Sequence, residues 1–298
     1  MARLIILLLV LLTLNTSAYG DMGAIPLIPN VQVFEPNQRA IIAWDGEEEI
    51  LLLSTDLSAS KPTKILEILP VPNESTVKKG DLKAFQNAVE IINEHLARKA
   101  RESLKRNFSM TMTLSADDPP KPAGEVTFHD RIGAHEVSVT HVLDATGFMD
   151  WAKDYLKRSG SENPTIPPIV EESVRQYLKE GYKWFIYDVM DLGSEVTTKD
   201  ALQFRFKTKK FYYPLRISRA ATGSTKIELT VLSRHLFSNY YRLPRKHIHL
   251  MHEPIELNKE ETTRISQEMF DLLPGYPMLR IWSIEGELQS FDADLILD

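Results

Sequence analysis

The stretch "RLPRKHIHLMHEP", Arg242 to Pro254, holds three of the chain's eight histidines: His247, His249 and His252. Imidazoles at this density can hold a transition metal, move protons, or give a surface whose charge titrates near neutral pH. Strand parity separates them. On an extended segment Arg245, His247, His249 and Met251 share one face, and Lys246, Ile248, Leu250 and His252 share the other. Ile248 and Leu250 claim the core side, so His247 and His249 point away from it and His252 does not join them. Two histidines two apart on a strand, with Cα atoms about 6.6 Å apart, can chelate a metal. Here Arg242, Arg245 and Lys246 repel a cation, and Glu253 is the one carboxylate at a supporting spacing. The pair therefore reads first as the titratable edge of a basic strand face, gaining charge as pH falls toward about 6.5. A metal-assisted hydrolase centred on His247 and His249 is the alternative.

Other cations join that face by the same parity. Arg205, Lys207 and Lys209 alternate with Leu202, Phe204 and Phe206; Leu215 and Ile217 flank Arg216; Lys226 alternates with Ile227, Leu229 and Val231. Residues 201–252 carry eleven Lys and Arg against one acid, Glu228, whereas 253–298 carry eleven acids against three bases. A net charge of −6 thus hides a basic block beside an acidic one. The candidate anion-binding set is Arg205, Lys207, Lys209, Arg216, Lys226, Arg245, His247 and His249. Its partner would be an anionic envelope polymer, lipid headgroups or an acidic protein. The competing reading has the acidic C-terminal segment cover and neutralise these cations. No nucleic-acid recognition module is present.

Catalytic motifs are otherwise absent. The chain has no G-x-S-x-G, no H-E-x-x-H and no phosphate-binding glycine loop. Ser58–Lys61 and Ser75–Lys78 match S-x-x-K without its companion elements. No cofactor is implied. With no cysteine at all, the chain has no disulfide, thiol nucleophile, thiolate metal site or lipid-anchored cysteine. Asn73 and Asn107 lie in glycosylation sequons.

The elements that would position these residues read as α+β. Residues 1–20 form a secretory signal: Arg3, then the apolar run "LIILLLVLLTL", then Ala18-Tyr19-Gly20, giving a mature start at Asp21. An uncleaved membrane anchor is the alternative. Strands are predicted at Ala40–Trp44 and Ile50–Leu53 across an Asp45-Gly46 turn, and at Ile65–Pro70. A helix follows from Asp81 to about Arg106, with Leu82, Phe85, Ile92 and Leu96 at helical spacing. Residues 21–114 make an N-terminal segment of β strands and this long helix. After the "SADDPPKPAG" loop, 125–298 make a C-terminal α+β segment containing the basic β block. In it, a strand over Glu136–Val142 precedes two helices, one ending at Gly160, the other opening at Pro167-Pro168 and ending at Gly181. "YKWFIYDVMDL" is a buried strand. A last helix spans Lys259 to Leu273, and a hairpin turns at Glu285-Gly286. Antiparallel strands with about four flanking helices form one large or two closely packed domains, large enough to be held together by burial.

The segments "EPNQRAIIAWDGEEEILLLSTDLSAS", "KILEILPVP", "FYYPLRIS" and "LRIWSIEGELQSFDADL" resemble an exported bacterial and archaeal family, domain of unknown function 2330, in its archaeal branch. The resemblance covers most of the mature chain. It implies an extracytoplasmic location and no known reaction, and it carries over no functional residues. Bacterial relatives often have cysteines soon after the signal; here Asp21-Met22-Gly23 stands in that place. The function expected is that of a non-enzymatic binding or structural module of the cell envelope.

Overall fold

The computed structural model describes residues 23–26, 28, 31–108, 135–142, 144–158, 160, 164–220, 223–237 and 247–298. The expected loop at 115–124, the leader, and Arg242, Arg245 and Lys246 lie outside the described residues.

The first strands are β1 (Ile25–Pro26), β2 (Val33–Phe34), β3 (Asn37–Trp44), β4 (Glu48–Ala59), β5 (Thr63–Val71) and β6 (Ser75–Lys79). Then come α1 (Lys83–Phe108), β7 (Glu136–His141), α2 (Ala145–Arg158), α3 (Pro168–Lys179) and β8 (Trp184–Leu192). The C-terminal part holds β9 (Thr197–Thr198), β10 (Leu202–Lys207), β11 (Phe211–Tyr213), β12 (Ser224–Ser233), β13 (Ile248–Leu250) and β14 (Ile255–Glu256). It closes with α4 (Lys259–Ile265), α5 (Gln267–Leu272), β15 (Met278–Glu287) and β16 (Leu295–Leu297). The α+β class stands as expected and every strand pair among the described residues but β3–β12, which is parallel, is antiparallel; there are five helices among the described residues rather than about four.

Three sheets organise the strands. The large one runs β13-β15-β12-β3-β4-β10-β6, with β14 on β15 and β2 and β9 on β4. The second runs β1-β5-β8-β7, and β11 pairs with β16. The β3–β4 hairpin turns where expected: the Asp45 carboxylate accepts from the backbone N–H groups of Glu47 and Glu48 at 2.9 and 2.8 Å. Strands of the N-terminal segment sit inside the large sheet. β3 lies between β12 and β4, and β4 lies between β3 and β10, so residues before and after the loop share one sheet.

Period-two alternation sorts side chains onto its two faces. Ala40, Ile42, Leu51, Phe204, Leu229 and Trp282 pack on one face, with Leu69, Val71 and Ile186 of the second sheet. Ile41, Ala43, Ile50, Leu52, Leu279 and Ile281 face the other way, under Phe85, Ala88 and Ile92 of α1 and Met269 and Leu272 of α5. The far face of the second sheet, with Leu66, Ile68, Phe185 and Tyr187, is covered by Phe148 and Ala152 of α2 and Val170 and Val174 of α3. The result is four layers, helix–sheet–sheet–helix. Each fully buried large side chain contributes about 1.5–3 kcal/mol, which a cysteine-free chain needs.

Three expectations need correction. Arg216 is not on a strand: Arg216–Ala220 is a 3-10 turn, and Arg216 is buried. Its guanidinium lies over the Tyr177 ring at 4.0 Å and gives two 2.7 Å hydrogen bonds to Glu180. The last helix is two helices. Ser266, in extended conformation, ends α4, and its side chain accepts from the Met269 backbone N–H at the start of α5. No hairpin turns at Glu285-Gly286, because β15 runs unbroken from Met278 to Glu287 beside β12. Gly286 is small there for a different reason: a Cβ would stand 2.6 Å from His247 Nδ1.

Candidate functional site

The basic block does not form one face of free cations. Arg205 on β10 ion-pairs with Glu48 on the adjacent β4 at 2.6 Å. Lys226 on β12 pairs with Glu285 on β15 at 3.4 Å. These two cations are also far apart. The ladder connects Arg205 to Ile50, Ala43 and Leu232, six residues along β12 from Lys226, or about 20 Å of strand. The acidic C-terminal segment reaches the block as well. Glu268 of α5 ion-pairs with Lys78 and accepts from Gln203 at 2.8 Å, and the Lys78 contact holds its carboxyl below the usual range. Lys207, Lys209 and His249 remain exposed, while Arg216 is spent in the interior.

Parity placed Ile248 and Leu250 correctly, as both pack toward the core. His247 lies against Phe291 with ring centroids 5.5 Å apart, and its Nδ1 donates to the Glu285 carbonyl at 3.1 Å. His252 is part-buried in the connection after β13. Its Nδ1 donates to the Glu253 carbonyl at 2.7 Å and its Nε2 accepts from the Ile281 N–H at 3.1 Å. That pattern requires the neutral ring. Burial, and then the Arg280 charge, push its pKa down accordingly. Among the described residues no group of three His, Asp or Glu is placed to hold a metal.

Two other sites emerge from the packing. The first lies between the sheets. Glu67 on β5 and Asp188 on β8 face each other across the ladder; both are buried, as is Glu35. Like charges directly opposite repel. Burial, followed by the neighbouring Glu35 and Asp188, drives the Glu67 carboxyl well above its ordinary value. Lys199 brings a compensating charge and hydrogen-bonds the Asp191 carbonyl at 2.9 Å. His135 ion-pairs with Asp188 through Nδ1, and its Nε2 donates to the Asp200 carbonyl at 3.0 Å. Glu67, Asp188, Lys199, His135 and Asp200 line a cavity of about 20 Å³, room for one water molecule. A carboxylate–histidine pair beside a perturbed acid suggests general acid–base chemistry. The geometry opposes it, since both ring nitrogens of His135 are spent on protein oxygens and neither is left to meet a substrate. The cluster acts as a fastener between β7, β8 and the segment before β10.

The second site is a cavity of about 230 Å³ at the end of the large sheet, walled by Val231, Phe237, Leu250, Met278 and Trp282. Arg280 and Glu253 also line it. Met278, Arg280 and Trp282 share one face of β15, so an arginine stands in an otherwise apolar row. Leu250 opposes Trp282 and Ile255 opposes Leu279, which sets Glu253 in the short connection beside Arg280. The Trp282 indole N–H and the Arg280 Nε are buried and have no hydrogen-bond partner among the described residues. Arg280 and Glu253 form no ion pair among the described residues, although each of the two remaining cations of the 253–298 segment, Lys259 and Arg264, has a partner. A buried donor left unmade costs about 1–3 kcal/mol, and these two atoms lie beneath the cavity wall with almost no surface open to solvent; the cavity itself, mostly apolar with two charged side chains in its lining, has the make-up of a small-molecule site. The sequence carried a signal for this site, an Arg on the same strand parity as Trp282 and Ile284.

The family profile described as "Uncharacterized protein conserved in bacteria (DUF2330)" matches residues 19–245. No curated protein matches the chain. Among solved structures, baculovirus P35 is 11% identical with a TM-score of 0.42, covering 91% of this chain and 97% of its own. A candidate nutrient-binding protein of Legionella pneumophila is 10% identical with a TM-score of 0.30, covering 95% of this chain and 72% of its own. Likenesses this distant establish nothing about activity. The profile match spans well over half of the sequence, and the chain belongs to the DUF2330 family.

Proposed function

We propose that this DUF2330 protein is an exported, non-enzymatic binding module of the cell envelope, and that it binds a compact molecule with an apolar part in the cavity beside Trp282. The observation that carries the reading is the cavity's lining: an apolar wall of Val231, Phe237, Leu250 and Trp282 that also holds Arg280 and Glu253. Export rests on the N-terminal leader read from the sequence. The cavity is smaller than the roughly 300–1,000 Å³ typical of drug-sized ligands, which limits the ligand to a compact molecule. Binding at the basic strands has less behind it, because Arg205, Lys226 and Arg216 each have a carboxylate partner. Catalysis at the Glu67–Asp188 cluster has less behind it, because both ring nitrogens of His135 are held by protein oxygens.

Two measurements test the reading. Expression of the full chain in a secreting host should yield an extracytoplasmic product beginning at Asp21; a product kept in the cytoplasm with its leader intact refutes export. Thermal unfolding of the mature chain should shift upward with increasing 3-phenylpropionate or indole, as binding to the native state requires. Trp282→Phe should reduce that shift. If neither these compounds nor their amino-bearing analogue L-phenylalanine shifts Tm in the millimolar range, the cavity is not a ligand site.

A further inference from the structure

The cavity beside Trp282 bears one charge of each sign in an otherwise apolar lining. Arg280 is half-buried on the strand and Glu253 is exposed at the rim, with Trp282 on the same strand face as Arg280. Arg280 offers a planar fork of donors suited to a carboxylate. Glu253 offers only acceptors and suits an ammonium. A ligand with one charge leaves the other group facing it unanswered, so a purely anionic ligand meets Glu253 and a purely cationic one meets Arg280.

We propose that the ligand is a free α-amino acid with an apolar side chain, bound as the zwitterion. Its carboxylate lies on Arg280, its ammonium on Glu253, and its side chain against Val231, Phe237 and Leu250. This rests on the reading that the cavity is a ligand site, and narrows it to one chemical class. Both charges of an α-amino acid spring from one carbon, which matches a Glu253 that the strand register sets in the connection beside Arg280. The volume of about 230 Å³ suits a side chain the size of leucine or phenylalanine. Glycine fills none of the apolar wall.

The test is calorimetric titration of the mature chain with L-phenylalanine, L-leucine and glycine, beside 3-phenylpropionate and phenethylamine, each of which lacks one charge. Phenylalanine or leucine should bind at least about ten-fold tighter than both one-charge analogues, the scale of one charge-assisted hydrogen bond, and glycine should not bind measurably. Glu253→Gln should erase the preference over 3-phenylpropionate, and Arg280→Gln the preference over phenethylamine. Thermal unfolding checks that both variants fold; Glu253 is exposed, so its variant carries the test if Arg280→Gln does not fold. The indole N–H resonance of Trp282, assigned from Trp282→Phe, should move on binding. If 3-phenylpropionate or indole binds and moves that resonance while phenylalanine binds no tighter, the cavity is a ligand site and the zwitterion assignment is wrong. If nothing binds, both the site and the assignment fall.

Discussion

Glu67 sits where a carboxylate is hard to keep. Its folded pKa lies above the ordinary value, from burial and from Glu35 and Asp188. The sign follows: stability from this group is full below about pH 4.5 and is lost as pH rises through the folded value. Glu67→Gln keeps the shape and removes the ionisation, so it should stabilise the protein by about 1–2 kcal/mol at pH 8 relative to wild type. The gain should shrink at pH 5, as measured by urea unfolding; a variant less stable than wild type at pH 8 refutes this account. His252 works in the opposite direction. Its folded pKa is lowered, so its contribution is present above about pH 6.5 and is lost as pH falls through the folded value. His252→Gln, which can still accept from the Ile281 N–H, should flatten the loss of stability between pH 7 and pH 5. An unaltered pH profile would show that His252 is not the group responsible. The sequence disclosed half of this. Parity put His252 on the core side, where it is, but nothing local shows that Glu67 and Asp188, 121 positions apart, face one another in the ladder.

At the scale of elements, strands and helices were legible from period and punctuation, and the misses share one cause. Glu285-Gly286 has the local chemistry of a turn, yet β15 passes straight through it because β12 pairs along its whole length. The glycine answers to His247, 39 positions away, and no local pattern contains that partner. Gly286→Ala should therefore cost about 1–3 kcal/mol through overpacking. His247→Ala should recover part of it in the double variant, a coupling read from chemical denaturation of all four proteins. Additive losses would separate the two residues. Arg216 was misassigned for a similar reason: alternation with Leu215 and Ile217 imitates a strand, while Tyr177, Glu180 and Asp294 hold it in a turn. Ser266 is the reverse case. A serine followed three positions later by Met269 is a legible cap, but the apolar stripe running across it conceals the break.

At the scale of the molecule, charge and topology interlock. The basic and acidic blocks are plain in the sequence, and their mutual compensation is partly so, since Glu285 and Glu268 belong to the acidic block. Glu48, which answers Arg205, comes from the other end of the chain. Exposed pairs of this kind contribute only about 0–1 kcal/mol each, so the large sheet depends chiefly on its two apolar faces. Because β3 and β4 lie between β12 and β10, neither part can complete that sheet alone. Residues 21–114 and 125–298, produced separately, should each lack cooperative thermal unfolding and dispersed amide resonances. Independent folding of either fragment would contradict this.

The pairing of β3 with β12 is parallel and joins Asn37 to Lys226, 189 positions apart. A ribosome adding about 5–20 residues per second leaves β3 waiting on the order of 10–40 s for its neighbour. Throughout that interval the nascent chain can make the β3–β4 hairpin and little of the central sheet. A polypeptide that must be threaded through a narrow channel before it folds would gain from such a delay, because its last large step of closure is withheld until most of its length has emerged.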